Sequence, residues 1–121
     1  MRTLFQTIKQ QFLEGNDLVL VSVTASSGST PRGAGSRMLV GKSGRIFGTI
    51  GGGAVEYRAE CMALDILEKK ESCQHEFRLN RKDVENIGMI CGGDVTVFFQ
   101  YLDHNDPVIS EITETAAKSY E

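Results

Sequence analysis

Arg45-Ile46-Phe47-Gly48-Thr49-Ile50, followed by Gly51-Gly52-Gly53 and then by Ala54 to Lys70, is the stretch that decides the fold. The first six residues read as a strand. The triple glycine can turn sharply. The following segment has helical composition, with Val55, Ala59, Met62 and Ile66 on one face. Tyr57, Cys61 and Leu64 fall on roughly the opposite side, which predicts a helix covered twice, by another element, a second domain or a second copy. Strand, glycine loop and helix are contiguous, so the class expected is α/β.

Upstream, Arg37 to Val40 reads as a partner strand joined through the Gly41-Lys42-Ser43-Gly44 turn. Ser26 to Ser36 mixes hydroxyl residues, glycines and Pro31 and must be a loop. Leu18 to Val23 is a nearly unbroken apolar run, as for a strand buried on both faces. Before it, Leu4, Phe5, Ile8 and Phe12 form the apolar stripe of a helix ending near Gly15-Asn16. Downstream, Gln74 to Leu79 reads as a strand and Arg81 to Glu85 as a polar connection. Gly88 to Asp94 leads into a strand in which Val95, Val97, Phe99 and Tyr101 alternate with Thr96, Phe98, Gln100 and Leu102. Asp106 is placed to cap a last helix, with Pro107 in its first turn. The expectation is one domain over residues 1–121: a mixed β-sheet, helices packed on it, and glycine-rich loops at strand ends.

A chain of 121 residues can bury a core without disulfides or a structural metal. Its net charge of −3 gives no nucleic-acid footprint, and no segment has the apolar length of a membrane span. The first 16 residues lack a signal core, so a cytoplasmic address is expected. Cys61, Cys73 and Cys91 are odd in number and form no CxxC pair, which argues against a disulfide scaffold or a zinc site. His75 and His104 have no ligand spacing and read as surface or strand histidines.

Three loops carry chemistry: Ser26 to Arg37, Gly51 to Glu56, and Cys91 to Asp94. Glycine lets bare N–H groups approach a ligand, and a helix beginning after Gly53 adds partial positive charge, which suits a phosphate. Arg32 and Arg37 can serve as forked anion donors or stand as ordinary surface charges, and spacing leaves both readings open. Gly41-Lys42-Ser43 lacks the earlier P-loop glycine and precedes a strand, so it is a hairpin turn. The triple glycine lacks the GxGxxG spacing of a dinucleotide fold. Cys91, between an apolar dipeptide and two glycines, is either a reactive loop thiol or a small buried hydrophobe. Cys61, inside a helix, and Cys73, near a strand edge, read as structural.

The blocks Val23-Thr24-Ala25-Ser26-Ser27-Gly28-Ser29-Thr30-Pro31-Arg32-Gly33, Gly48-Thr49-Ile50-Gly51-Gly52-Gly53-Ala54-Val55-Glu56 and Met89-Ile90-Cys91-Gly92-Gly93 together resemble the XdhC/CoxI family of xanthine dehydrogenase accessory proteins. That resemblance implies a maturation chaperone, not a conventional enzyme. Such a protein binds the molybdenum cofactor (molybdopterin) as cargo, holds it while a cysteine desulfurase supplies its terminal sulfur, and delivers it to a molybdenum hydroxylase such as xanthine dehydrogenase. Carried over residue by residue, the cofactor-binding set is Ser27, Arg32, Gly33, Arg37, Gly51, Gly52, Gly53, Glu56, Cys91, Gly92 and Gly93. The phosphate would meet the Gly51 to Gly53 helix start, and Cys91 would face the molybdenum or its sulfur. Many relatives carry cysteine at the place of Ala54, so a two-thiol mechanism is not expected here. Relatives also commonly continue into a Rossmann-type domain, which this segment lacks, so the resemblance implies a partner domain of that type. A homodimer would cover the second side of the Ala54 to Lys70 helix. Two other readings stay open: a small redox or sulfur-transfer enzyme using Cys91, and a docking subunit that binds no cofactor.

Overall fold

A computed structural model describes residues 3–26, 35–51, 53–79 and 93–119. The order is α1 (Leu4–Leu13), β1 (Leu18–Ser26), β2 (Arg37–Gly41), β3 (Gly44–Thr49), α2 (Gly53–Lys69), β4 (Cys73–Leu79), β5 (Gly93–Leu102) and α3 (Pro107–Ser119). The five strands form one sheet in the order β3-β2-β1-β5-β4.

The α/β class and the single sheet with packed helices are as expected, with one correction. The sheet is not mixed: its four pairings, β1 with β2, β1 with β5, β2 with β3 and β4 with β5, all run antiparallel. A strand–helix–strand run such as β3-α2-β4 commonly makes a parallel pair. Here β3 and β4 do point the same way, but α2 carries the chain from one edge of the sheet to the other, so the two never meet.

Central strand β1 is covered on both faces, as its apolar run predicts. Side chains alternate along a strand, and Val19, Val21 and Val23 join Val55, Ala59, Ala63 and Ile66 of α2 in one core. Leu18 faces the other way, into a second core with Ile8 of α1, Leu39 and Leu102, flanked by Ile109 of α3. The domain is thus three layers, with α2 on one face and α1 with α3 on the other. Local signals explain the boundaries. Thr3 and Gln6 form a reciprocal capping box at α1. Asp106 Oδ1 accepts from the Val108 N–H at 2.9 Å, starting α3 before Pro107 can break anything. The β2–β3 hairpin turns at Lys42-Ser43, with Gly44 at φ 111°.

The second apolar side of α2 is only partly covered. Leu64 packs against the core, whereas Tyr57 is 66% exposed and Cys61 is exposed. Those two lie on a flank of α2 that the core, which takes in Ala59 and Ala63, leaves open.

Candidate functional site

Strand directions bring the described ends of all three glycine blocks to one end of the sheet. Ser26 ends β1 opposite Val95, Arg37 opens β2 opposite Thr49, and Leu79 ends β4 opposite Gly93. The chain that leaves β1 returns beside it, since the Gly35 N–H donates to Val23 O at 2.8 Å and the Val23 N–H to Ser36 O at 2.9 Å. A bulge marks this rim: Val23 pairs with Val97 and Ala25 with Thr96, leaving Thr24 outside the ladder. Of the expected cofactor residues, Arg37, Gly51, Gly53, Glu56 and Gly93 are described, and the ladder and the α2 start gather them at this end. Ser27, Arg32, Gly33, Gly52, Cys91 and Gly92 lie outside the described residues.

The turn into α2 depends on glycine, with φ 128° at Gly51 and 70° at Gly53, values that L side chains rarely adopt. Glu56 holds that turn. Its Oε1 accepts from the Ile50 N–H at 3.0 Å and from the Thr49 hydroxyl, which itself accepts from the Gly51 N–H at 3.1 Å. Arg45 Nε stands 3.7 Å from Glu56 Oε2, while its Nη1 donates to Gly48 O at 2.6 Å. A carboxylate in the first turn suits the helix dipole, and it also sets a fixed negative charge where an incoming anion would meet the helix start. Arg37, exposed at the mouth of β2, carries the opposite charge at the same end.

Beside this turn runs a groove of about 380 Å³ along the first two turns of α2, lined by Ser43, Arg45, Gly53, Glu56, Tyr57 and Glu60. Glu60 Oε1 accepts from the Arg45 N–H at 2.6 Å, bracing edge strand β3 against the helix. The sequence reading missed Arg45, Tyr57 and Glu60 as lining residues. The spacing of Glu56 and Glu60, four residues apart on one helix face, was the available signal. Tyr57 lies beside Cys61 one turn on, whose hydrogen bond raises the phenol's pKa.

The two cysteines read as structural are both exposed: Cys61 lies on the outer flank of α2, and Cys73 opens edge strand β4.

The far end of the sheet holds a different polar cluster. Asp17 Oδ2 accepts from the Tyr101 hydroxyl at 2.5 Å, and Oδ1 accepts from the His104 N–H at 3.0 Å and lies 2.5 Å from His104 Nδ1. Burial works to raise the Asp17 pKa, but these hydrogen bonds outweigh it and hold the carboxyl at about 2. The same burial and the bond to Asp17 push the Tyr101 phenol up. Asp17, Asp103 and His104 offer ligand atoms within 4.8 Å of one another, yet both Asp17 oxygens are already engaged in tying the start of β1 to the end of β5.

The sequence pattern of the XdhC and CoxI family matches residues 12–78, more than half of the chain. The chain is 37% identical over 79 residues to the uncharacterized protein YqeB of Escherichia coli, covering 65% of this chain and 14% of that one. It is 27% identical over 110 residues to the molybdenum cofactor insertion chaperone PaoD of Escherichia coli, covering 90% of this chain and 34% of PaoD. A crystal structure described as a xanthine dehydrogenase from Bacillus halodurans superposes with a TM-score of 0.72 at 17% identity, over 93% of this chain and 34% of that one. That likeness is one of fold, and the chain spans about a third or less of the length of each of these proteins. By the match over residues 12–78, the chain belongs to the XdhC and CoxI family.

Proposed function

We propose that this domain binds the molybdenum cofactor as cargo and serves in the maturation of a molybdenum hydroxylase of the xanthine dehydrogenase type. The observation that carries this reading is the gathering of the described ends of all three family-like blocks at one end of the sheet, in a chain belonging to the XdhC and CoxI family. PaoD, a relative over 90% of the chain, is a molybdenum cofactor insertion chaperone, which supports the same role.

The ligand chemistry matches the rim. Arg37 supplies a guanidinium, and the glycines at 51, 53 and 93 leave backbone without side-chain cover. Arg32 and Cys91, on the segments joining these ends, are proposed to meet the phosphate and the metal's sulfur. In the cell the domain would hold the cofactor while a cysteine desulfurase supplies its terminal sulfur, and would act with a Rossmann-type domain, on the same chain or a partner. Self-association through the exposed flank of α2 at Cys61 would make it a homodimer. No helix among the described residues is long and apolar enough to cross a membrane, and the proposed role puts the domain in the cytoplasm with the hydroxylase it would serve. The test is recovery of a fluorescent pterin oxidation product from the purified chain, with activation of an apo-hydroxylase by the loaded protein. A chain that carries no pterin and activates nothing would overturn the reading, and turnover of persulfide transfer without pterin would replace it with an enzyme.

A further inference from the structure

We propose that the groove along the first two turns of α2 binds a 2-amino-4-oxopyrimidine ring, the edge shared by pterins and guanine, with the ring's amino and adjacent N–H groups donating to the Glu60 carboxylate. The proposal deepens the maturation reading and rests on it only for which molecule brings the ring.

The groove's about 380 Å³ falls at the small end of the range for small-molecule sites, about 300 to 1,000 Å³, enough for one bicyclic ring. Its charges are unequal: Glu56 and Glu60 face one guanidinium, Arg45, which is already engaged by Gly48 O and Glu56. Such a lining repels a phosphate and favours a neutral ring rich in donors, so the phosphate belongs at the sheet end where Arg37 stands. Glu56 is spent on the Thr49–Gly51 turn. Glu60 is not: among the described residues it accepts from the Arg45 N–H on Oε1, and a carboxylate accepts about four hydrogen bonds. Two neighbouring ring donors on one carboxylate form a charge-assisted pair of the forked kind. Tyr57, 66% exposed on the wall, offers an aromatic face on which the ring can stack. Adenine is the natural counter-ligand, because the ring nitrogen beside its amino group is an acceptor that a carboxylate repels.

The full chain is titrated with pterin, followed by its fluorescence, and with guanosine and adenosine monophosphates as competitors. Pterin and the guanine nucleotide should compete for one site while the adenine nucleotide fails, and the tighter of the first two identifies the source of the ring. Glu60→Gln keeps an oxygen for the Arg45 N–H, so the fold should hold, but it should weaken pterin by about tenfold; Tyr57→Ala should weaken it several-fold, with Tyr57→Phe close to wild type. Equal binding of the adenine nucleotide, or unchanged pterin affinity in both Glu60→Gln and Tyr57→Ala, would overturn the groove assignment. Whole cofactor bound equally by wild type and Glu60→Gln would sink the groove and leave the maturation reading standing. Ring binding lost in Glu60→Gln, in a chain that neither holds cofactor nor activates a hydroxylase, would uphold the groove and remove the maturation reading.

Discussion

The Glu56 carboxylate accepts a hydrogen bond from the Ile50 N–H at 3.0 Å and thereby clamps the end of β3 to the start of α2 across the glycine turn. With its side chain only 16% exposed, this is a partly buried, charge-assisted bond, of the kind that contributes about 1.5 to 3 kcal/mol. Glu56→Ala should therefore lower stability by about that amount in a urea melt. Glu56→Gln, which keeps an acceptor, should lose roughly half. Equal stability of Glu56→Ala and wild type would show that the turn is held by its glycines alone.

Gly48, in the same family-like block, has φ 73°, and a Cβ there would stand 2.4 Å from the Arg37 carbonyl oxygen across the hairpin. That neighbour is backbone and cannot swing aside. Gly48→Ala should cost about 2 kcal/mol or more from strain and forced separation of β2 from β3. A melting temperature within a degree of wild type would contradict the hairpin geometry.

Asp17 makes stability depend on acid. Its carboxyl titrates near 3.8 when unfolded and at about 2 in the fold, so its contribution is complete above about pH 4 and is lost as pH falls toward 2. Allowing for its partial exposure, the span is about 1 to 2 kcal/mol. Asp17→Asn should be less stable at neutral pH and should flatten the fall in stability between pH 4 and 2. An unchanged slope would mean that the bonds from Tyr101 and His104 give Asp17 no net preference for its charged form.

Much of this architecture is legible in the residues, because it rests on local signals. The apolar run at Leu18 to Val23 announces a strand with two cores, the alternation of Val95, Val97 and Phe99 a face, and Asp106-Pro107 a helix start. Sheet direction is not local. Whether β3 and β4 pair depends on how far α2 carries the chain, and nothing in the residues of α2 encodes that distance. The rim follows the same division: its glycine blocks are visible as motifs, but Glu60 becomes a groove residue only because edge strand β3 sits beside it. The exposure of Cys61 and Cys73 was hidden for a related reason, since membership of a helix or strand does not say which flank faces solvent.

Arg37 and Arg32 are the side chains proposed above to meet the cofactor's anionic end. Arg37 is exposed at the rim, and Arg32 lies outside the described residues. If they meet the cofactor's phosphate, Arg32→Ala should cost about 1.5 to 3 kcal/mol of cofactor binding, and Arg37→Ala somewhat less in proportion to its solvent screening. Neither should alter binding of a phosphate-free pterin, whereas a bulky residue at Gly52 should weaken whole cofactor in a well-folded chain. Isothermal titration with cofactor and with pterin alone distinguishes the two ends. Equal losses for both ligands would place the arginines elsewhere.

Cys91 remains the thiol expected to matter, because it alone combines a family-like block, flanking glycines and a place in the chain just before Gly93, which enters the sheet at the rim opposite Leu79. Rate of alkylation cannot identify it, since Cys61 and Cys73 are themselves exposed and will react. Protection can. Cofactor bound at the rim should shield Cys91 from alkylation while Cys73, which pairs with Phe99 well along β5 from Gly93, keeps its rate. Cys61, one turn from Tyr57 on the flank proposed for self-association, should change its rate on adding ligand only when that ligand occupies the groove. Cys91→Ser should abolish or strongly reduce binding of sulfurated cofactor and activation of the hydroxylase, whereas Cys61→Ala should change stability little, because an exposed thiol on a helix flank buries almost nothing. Mass spectrometry of the alkylated chain with and without cofactor reads all three thiols in one experiment. Full activation by Cys91→Ser, together with unprotected Cys91 in the loaded protein, would show that delivery of the cofactor needs no thiol from this domain.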